Sequence, residues 1–478
     1  MKPRIVILVC DGLRPDRIDP VRMPALWRLR LEGVNFPHAR TVFPSETRVA
    51  AASLVTGCLP GDHGLIANDF YDPRIFAARP VATASRVDLA ELCRIRGRLL
   101  ARETLSERLA ARGIRYAVVS TASEGTSRIL AEGTHAPLGF AWSPHPGIAT
   151  GGAMDAIATA LGPAPAEEIP RVATVEYAAR ALTEYVLPEI DPDVAILWSG
   201  EPDSTYHRCG IGSAQAALAE RAADDALARI LEWRDRNGEN DRLQIFVVSD
   251  HGHVTGSERI DIARSIRAGG WPVAEGTPGA RDIVVVPGAV SLVYGLPDGS
   301  RRAHEFIAWL SDQDWSDAVF TRRSIAGRAT LADLGIGHPA APDLVFTLRT
   351  DDAIAAGGLP GRCLYDSDLP SGAGTHGGLN RHEMANTLAI QGSMFRRDAT
   401  SVLHAGLIDI APTILDLLDI PTTGLHGRCL REAYERKVPQ VPDQTRHDSL
   451  LPEASRHSTA LARSHVGTTM YLDGLTGQ

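Results

Sequence analysis

The sequence predicts an α/β protein built on a mostly parallel central sheet flanked by helices on both faces. Three observations carry that prediction. Short apolar, β-branched runs recur at Ile5–Val9, Tyr116–Ser120, Val194–Trp198 and Ile245–Ser249. Segments of helical period lie between them, including Pro24–Glu32, Arg102–Arg112, Val172–Leu187 and Ala214–Asn237. Strands without polar alternation are buried on both faces, as a parallel sheet covered by helices requires. Finally, Asp11, Asp203 and Asp250 each fall just past a predicted strand, where folds of this class gather their ligands.

The first strand follows Met1-Lys2-Pro3-Arg4 directly, and Asp11 comes straight after it. The run is too short for the apolar region of a signal peptide, so a cytoplasmic location is expected. Thr47 precedes the helical segment Val49–Val55. Residues 255–370 read differently. Strands are expected at Ile283–Pro287 and Val290–Tyr294, split by Gly288-Ala289, then a helix at His304–Ser311 and a strand at Asp343–Thr350. With Gly269-Gly270 and Pro339–Pro342 as punctuation, this stretch is an inserted α+β cap subdomain. The catalytic core is then residues 1–254 and 371–435, resuming with a strand at Met384–Gln391 and a helix at Leu407–Leu418. Residues 436–478 form a polar, Pro-punctuated C-terminal tail, fit for a surface strap or an oligomer contact.

Composition narrows the partners. The 478 residues are 22% charged and 44% hydrophobic, with a formal net charge of −9. That balance leaves no electrostatic footprint for a nucleic-acid polymer or an anionic membrane. No stretch approaches the ~20 apolar residues of a membrane span. An anionic small-molecule substrate therefore needs local positive charge, which bound metal cations supply. The six cysteines are dispersed without a CxxC pair and read as reduced thiols, with Cys10 facing away from Asp11. A homo-oligomer is left open.

Three Asp, three His and one hydroxyl stand at the expected strand ends and loops. Asp250-His251 before Gly252 can turn a carboxylate and an imidazole toward one metal, whose oxygen and nitrogen donors lie at about 2.0–2.2 Å. Asp203 and His207 are spaced for one face of a helical turn. His376 sits in a Gly-rich loop (Gly372, Gly374, Gly377, Gly378) that admits close backbone approach. Thr47 at a helix N-terminus occupies a field that favours anions. Each has an ordinary reading too: turn aspartates, surface histidines, and an N-cap at Thr47 or Ser45. His253 reads as an outer or structural histidine, and His382 as a neighbour without a ligand role.

Taken together, the motifs resemble those of the alkaline phosphatase superfamily, specifically its nucleotide pyrophosphatase/phosphodiesterase (type I phosphodiesterase) branch. The matching pieces are Asp11-Gly12, Thr47 with Leu54-Val55-Thr56-Gly57, and Pro60-Gly61-Asp62-His63-Gly64-Leu65. Further matches are Asn68 before Phe70-Tyr71, Glu201-Pro202-Asp203 with His207, Ser249-Asp250-His251-Gly252, His376-Gly377 and Leu407–Thr413. The resemblance runs from about residue 4 to residue 430. It implies an alkaline-phosphatase-like fold and two divalent metal ions, Zn2+ first among them. One zinc would rest on Asp11, Thr47, Asp250 and His251, the other on Asp203, His207 and His376. It also implies Thr47 as nucleophile, with Asn68 and the Thr47 backbone N–H on a phosphoryl oxygen. Two cations ~3.5–4 Å apart suit an in-line displacement at phosphorus.

Two departures bear on the substrate. Nucleotide pyrophosphatases usually follow the nucleophile with Phe-Pro-Asn, where this chain has Arg48-Val49-Ala50. Arg48 is then a candidate for substrate phosphate or carboxylate, or for a surface salt bridge. Phosphonoacetate hydrolases carry lysines in the loop after the second strand, and Ser120–Thr126 has none. Phe43-Pro44-Ser45-Glu46 lacks the cysteine of a sulfatase. The expected function is hydrolysis of phosphodiester or phosphoanhydride bonds in a small molecule through a covalent phospho-threonine. A phosphonate hydrolase or phosphomonoesterase on the same framework is the alternative. A non-catalytic, metal-stabilised binding module is the remote one, since structural zinc sites are usually Cys-rich.

Overall fold

A computed structural model describes residues 2–145, 148–297, 299–323, 329–436, 443–450, 457–458 and 460–477. Its centre is the strand Arg4–Cys10, all seven residues of which are buried. This strand pairs in parallel with Val194–Ser199 on one side and Leu243–Val248 on the other. Tyr116–Ser120 and Gly139–Trp142 extend the sheet in parallel beyond Val194–Ser199. Leu388–Gln391 runs antiparallel beside Leu243–Val248, followed by the two-residue strands Val34–Asn35 and Ala399–Thr400. The described residues thus form an eight-stranded sheet, parallel except at Leu388–Gln391.

Side-chain alternation along the central strand divides the interior in two. Ile5, Ile7 and Val9 join a core with Val49, Leu54, Val55, Ile410 and Ile414. Val6, Leu8 and Cys10 face the other side, against Leu26, Leu29, Ala223, Leu227 and Ile230. The helices Thr47–Thr56 and Ile410–Leu417 therefore cover one face, and Pro24–Glu32 and Ala214–Arg236 the other. Cys10 lies in the second core, pointing away from the site, and its thiol is pushed up by burial.

Several elements differ in detail from the sequence expectation. Val172–Leu187 is α-helical only to Arg180, then continues as a π-helix over Ala181–Ile190 that contains Pro188. Proline lacks the N–H an α-helix needs at that point, and a wider turn accommodates it. Met384–Gln391 divides into a helical turn, Arg381–Met384, and the strand Leu388–Gln391. Leu407–Leu418 opens with a 3-10 turn at Leu407–Asp409 before the α-helix Ile410–Leu417.

Residues 255–370 contain a four-stranded antiparallel sheet in the order Val284–Val286, Val290–Tyr294, Leu344–Leu348, Ser316–Thr321. Phe306, Ile307 and Leu310 of the helix Arg301–Ser311 pack with Val293, Val319 and Phe346 into a separate core. A second four-stranded sheet joins this part to Gly374–Thr375 beyond it. It combines Val254–Arg259 and Pro360–Tyr365, which are parallel, with Thr350–Ile354 and Gly374–Thr375. The loop bearing His376 leaves from the edge of that sheet.

Where it is described, the C-terminal tail is built into the fold. Gln444–Leu450, Ala460–Val466 and Thr469–Thr476 form a three-stranded antiparallel sheet. Leu461, Leu472 and Leu475 enter the main core. Asp473 accepts from Arg40 Nε at 3.0 Å and from His404 Nε2 at 2.7 Å. Tyr471, Leu472 and Leu475 of Thr469–Thr476 are buried while Asp473 is partly exposed, which a reading of overall polarity overlooks.

Candidate active site

Three parallel strands end side by side, and their carboxyl ends deliver the site. Arg4–Cys10 leads into Asp11, Leu243–Val248 into Asp250-His251, and Val194–Ser199 into the helix Asp203–Cys209 that carries Asp203 and His207. Asp203 N donates to Asp11 O at 3.1 Å, so the first two carboxylates are locked to adjacent backbones. Thr47 is the first residue of its helix. Neither Thr47 nor Ser45 caps it: Ser45 Oγ donates to Gly378 O and accepts from Gly377 N, both at 3.0 Å.

Two groups of potential metal ligands result. Asp11, Asp250 and His251 form one, and Asp203, His207, His376 and His253 the other. Thr47 Oγ1 joins the first group, 3.1 Å from His251 Nε2. Each carboxylate of this group is half-anchored. Asp11 Oδ2 accepts from Trp198 Nε1 at 2.9 Å, and Asp250 Oδ1 accepts from Gly12 N at 2.9 Å and His251 N at 3.0 Å. The other oxygens, Asp11 Oδ1 and Asp250 Oδ2, are buried without a hydrogen-bond partner, as is Asp203 Oδ1. Buried anionic oxygens left bare are costly unless a cation meets them.

The histidines share one arrangement. His251 Nδ1 faces Gly252 O at 3.0 Å, His207 Nδ1 faces Gly374 O at 2.8 Å, and His376 Nδ1 faces Ser45 O at 2.7 Å. A carbonyl only accepts, so each Nδ1 carries the proton and each Nε2 offers a lone pair. Those Nε2 atoms converge: His207 and His376 approach to 3.1 Å, and Asp203 Oδ1 lies 3.2 and 3.5 Å from them. The His251 and His376 rings stack at 3.7 Å and join the two groups. Backbone carbonyls that fix the tautomer are the usual support of metal-binding imidazoles. The donor set of carboxylate oxygens, imidazoles and a hydroxyl, without cysteine, fits two divalent cations.

Electrostatics agree. Burial pushes the Asp11 carboxyl well above the carboxylate range, and neighbouring Asp250 and Asp203 add to the push. Burial also raises Asp250. It lowers the His376 imidazole well below its ordinary value, reinforced by His251 and His253. Burial opposes ionisation of Asp203, but His207, His253 and His376 outweigh it and hold that carboxyl low. Like charges this close call for cations between them.

The remaining candidates fall into place around this pair. Asn68 Oδ1 accepts from Arg48 N, one residue past Thr47, at 3.2 Å, leaving its Nδ2 donor uncommitted in that bond. Arg48 makes no surface salt bridge among the described residues; its Nε donates to Thr83 Oγ1 at 2.8 Å, and it lines the cleft over the site. His382 stands apart from both groups, near Arg14 and Asp352. His253, expected to be outer, lies in the second group with its Nε2 3.1 Å from Asp203 Oδ1. The histidine of Asp62-His63-Gly64 is structural: fully buried, it bonds Ser53 Oγ and accepts from Leu65 N.

A cleft of about 650 Å³ opens over Asp11, Thr47, Asp203 and His207. Its walls carry Arg48, Arg171 and Arg208 beside Glu167 and Asp368, with Ser367–Pro370 on one side and no Phe, Tyr or Trp among the described lining residues. Arg171 is partly committed, donating to Thr121 O at 2.8 Å and Glu167 Oε1 at 3.1 Å.

Among known proteins, a segment of the chain resembles bis(5'-adenosyl)-triphosphatase enpp4 of Xenopus laevis, 37% identical over 15% of this chain and 16% of that protein. Human ectonucleotide pyrophosphatase/phosphodiesterase family member 7 is 39% identical over 15% of this chain and 16% of its own length. The aligned segments thus span about one sixth of those relatives. The venom phosphodiesterase of Macrovipera lebetinus is 22% identical over 52% of this chain and 25% of the relative. In structure, the chain is similar to murine ectonucleotide pyrophosphatase/phosphodiesterase 5 (ENPP5), an inactive threonine-to-alanine variant in complex with AMP. The TM-score is 0.65 at 16% identity, over 91% of this chain and 100% of the other. The α/β fold is therefore the alkaline-phosphatase-like one that the motifs implied. The family model for type I phosphodiesterase/nucleotide pyrophosphatase matches residues 5–378, and the chain belongs to that family.

Proposed function

We propose that this protein hydrolyses phosphodiester or phosphoanhydride bonds of a small anionic molecule through a covalent intermediate on Thr47. One observation carries the reading: Thr47 Oγ1 lies 3.1 Å from His251 Nε2, at the edge of two groups of buried, bare ligand atoms. Asp11, Thr47, Asp250 and His251 would hold one divalent ion, and Asp203, His207 and His376 the other, zinc by the character of the donors. Two such ions supply Lewis acidity, lowering the hydroxyl pKa and neutralising charge on the reacting oxygens.

The chain's own groups do the rest. Thr47 Oγ1 attacks phosphorus, the bond to the leaving oxygen breaks in line, and water then cleaves the phospho-threonine. Asn68, held through Oδ1 by Arg48 N, presents its Nδ2 to a non-bridging phosphoryl oxygen, and the Thr47 backbone N–H at the open helix start does the same. The inactive threonine-to-alanine ENPP5 variant is in keeping with a threonine nucleophile in this family. The decisive comparison is Thr47→Ala against Thr47→Ser in metal-loaded protein. The alanine variant loses turnover while holding two metals per chain, and the serine variant retains measurable activity. Turnover by Thr47→Ala would sink the covalent mechanism.

A second reading of the substrate rests on the cleft. Its three arginines and the lack of Phe, Tyr or Trp among the described lining residues favour a small anionic leaving group over a stacked nucleobase. That keeps a phosphomonoesterase or phosphonate hydrolase in view, with cleft arginines in place of loop lysines. Rates on bis-nitrophenyl phosphate, nitrophenyl phosphate and phosphonoacetate separate the three. A cytoplasmic location remains part of the proposal; among the described residues no helix is long and apolar enough to cross a membrane.

A further inference from the structure

His253 is left unused by the two-metal reading, yet its surroundings are built around it. Its side chain is fully buried. Gly12 has a φ of +67°, and a Cβ there would come within 2.3 Å of His253 Cε1. A Cβ on Gly374 would lie 3.1 Å from Cδ2, and the edge of Tyr206 packs on the ring at 5.1 Å. Two glycines thus clear the space this imidazole occupies.

Its orientation repeats that of the neighbouring histidines. Nδ1 faces Gly12 O at 3.0 Å, so Nδ1 carries the proton and Nε2 the lone pair. Nε2 has no hydrogen-bond partner and sits 3.1 Å from Asp203 Oδ1, which also has none. Something positive lies between these two buried acceptor atoms, either a proton shared across the 3.1 Å contact or a cation that both face.

The spacing identifies what that is. Bonds of about 2.0–2.1 Å to a tetrahedral ion place ligand atoms about 3.3–3.4 Å apart. Around Asp203 Oδ1 the contacts are 3.2 Å to His207, 3.1 Å to His253 and 3.5 Å to His376. His207 and His376 are themselves 3.1 Å apart. We propose that His253 is a fourth protein ligand of the metal held by Asp203, His207 and His376, an inference that rests on the two-metal reading above. A catalytic zinc usually keeps one position free of protein. With His253 this metal would have three imidazoles and a carboxylate, four protein ligands, as the other would have in Asp11, Thr47, Asp250 and His251. A substrate or water oxygen then enters this site only by raising the coordination number or by displacing His253.

The test uses the full-length protein stripped of metal and titrated with Co2+, read by visible absorption, and with Zn2+ against a chromophoric chelator. His253→Asn is the informative variant. Its amide reproduces the Nδ1–H donor to Gly12 O while deleting the atom at Nε2. The expected result is two metal equivalents in the wild type and an altered Co2+ spectrum in the variant. Its affinity for one equivalent falls by more than the about 10–100-fold that loss of an outer partner costs, and the other equivalent is unchanged. If His253→Asn does not fold, His253→Gln, which returns an amide near Nε2, takes the same spectral test. A wild type with two equivalents and a variant with the same spectrum and affinity overturns the fourth ligand alone. A wild type that binds fewer than two overturns the two-metal reading with it.

Discussion

Ser45 O, two residues before Thr47, receives the Nδ1 proton of His376 at 2.7 Å. The loop that delivers Thr47 to one ligand group therefore orients an imidazole of the other. The same serine uses Oγ to hold Gly377 N and Gly378 O. Ser45→Ala should leave those two buried backbone groups without a partner and cost about 1–3 kcal/mol of stability. Affinity for one metal should fall roughly tenfold. Urea unfolding and metal titration of the variant check both, and an unchanged metal isotherm would show that the Ser45 hydroxyl's hold on Gly377 and Gly378 does not position His376.

Trp198 is buried in the strand beside Asp11 and donates through Nε1 to Asp11 Oδ2. Trp198→Phe keeps most of the ring's bulk and removes that donor. The free oxygen can then rotate, and metal affinity at the Asp11 site should drop about 10–100-fold. Zinc competition measures it; the group around Asp203 serves as the internal control.

Chelation should destabilise the whole protein, because Asp11, Asp203 and Asp250 aim unpartnered buried oxygens at the site. A ligand present at a thousandfold excess over its Kd contributes about 4 kcal/mol. The melting temperature should fall when metal is stripped and return when Zn2+ is restored. An unshifted Tm would mean that the ligand groups bind no ion in the native state.

Acid sensitivity should arise at Asp473, which joins the C-terminal sheet to the core. Burial opposes its ionisation, but His404, Ser464 and Arg40 outweigh it and hold the carboxyl at about 2 against an ordinary 3.8. A depressed carboxylate contributes its stability above the unfolded value and loses it as pH falls through the folded one. The contribution is about 2 kcal/mol. Asp473→Asn should therefore be less stable than the parent at neutral pH, with the gap closing between about pH 4 and pH 2. A gap constant with pH would assign the loss to packing instead.

Much of this architecture is legible in the chain. The strands at residues 5, 116, 194 and 245 announce themselves because both of their faces are buried, so no polar residue interrupts them. Asp11, Asp203 and Asp250 follow from where those strands end. Val34–Asn35 and Ala399–Thr400 are too short to carry a period, and only their neighbours make them strands. The Pro188 π-turn depends on tertiary cover that local propensity does not encode. The setting of His253 depends on tertiary cover in the same way. Beyond Val248 the strand's alternation no longer governs, and what aims the ring is Gly12, 241 residues away in sequence.

The central strand has one further consequence. Odd residues from Ile5 to Val9 belong to one interior and even residues from Val6 to Cys10 to the other, and Asp11 emerges where the two meet. The strand thus behaves as a keyed shaft. Moved by a single residue, every apolar side chain would change rooms and the first carboxylate would turn out of the cleft. No length change is tolerable in the seven residues behind Asp11.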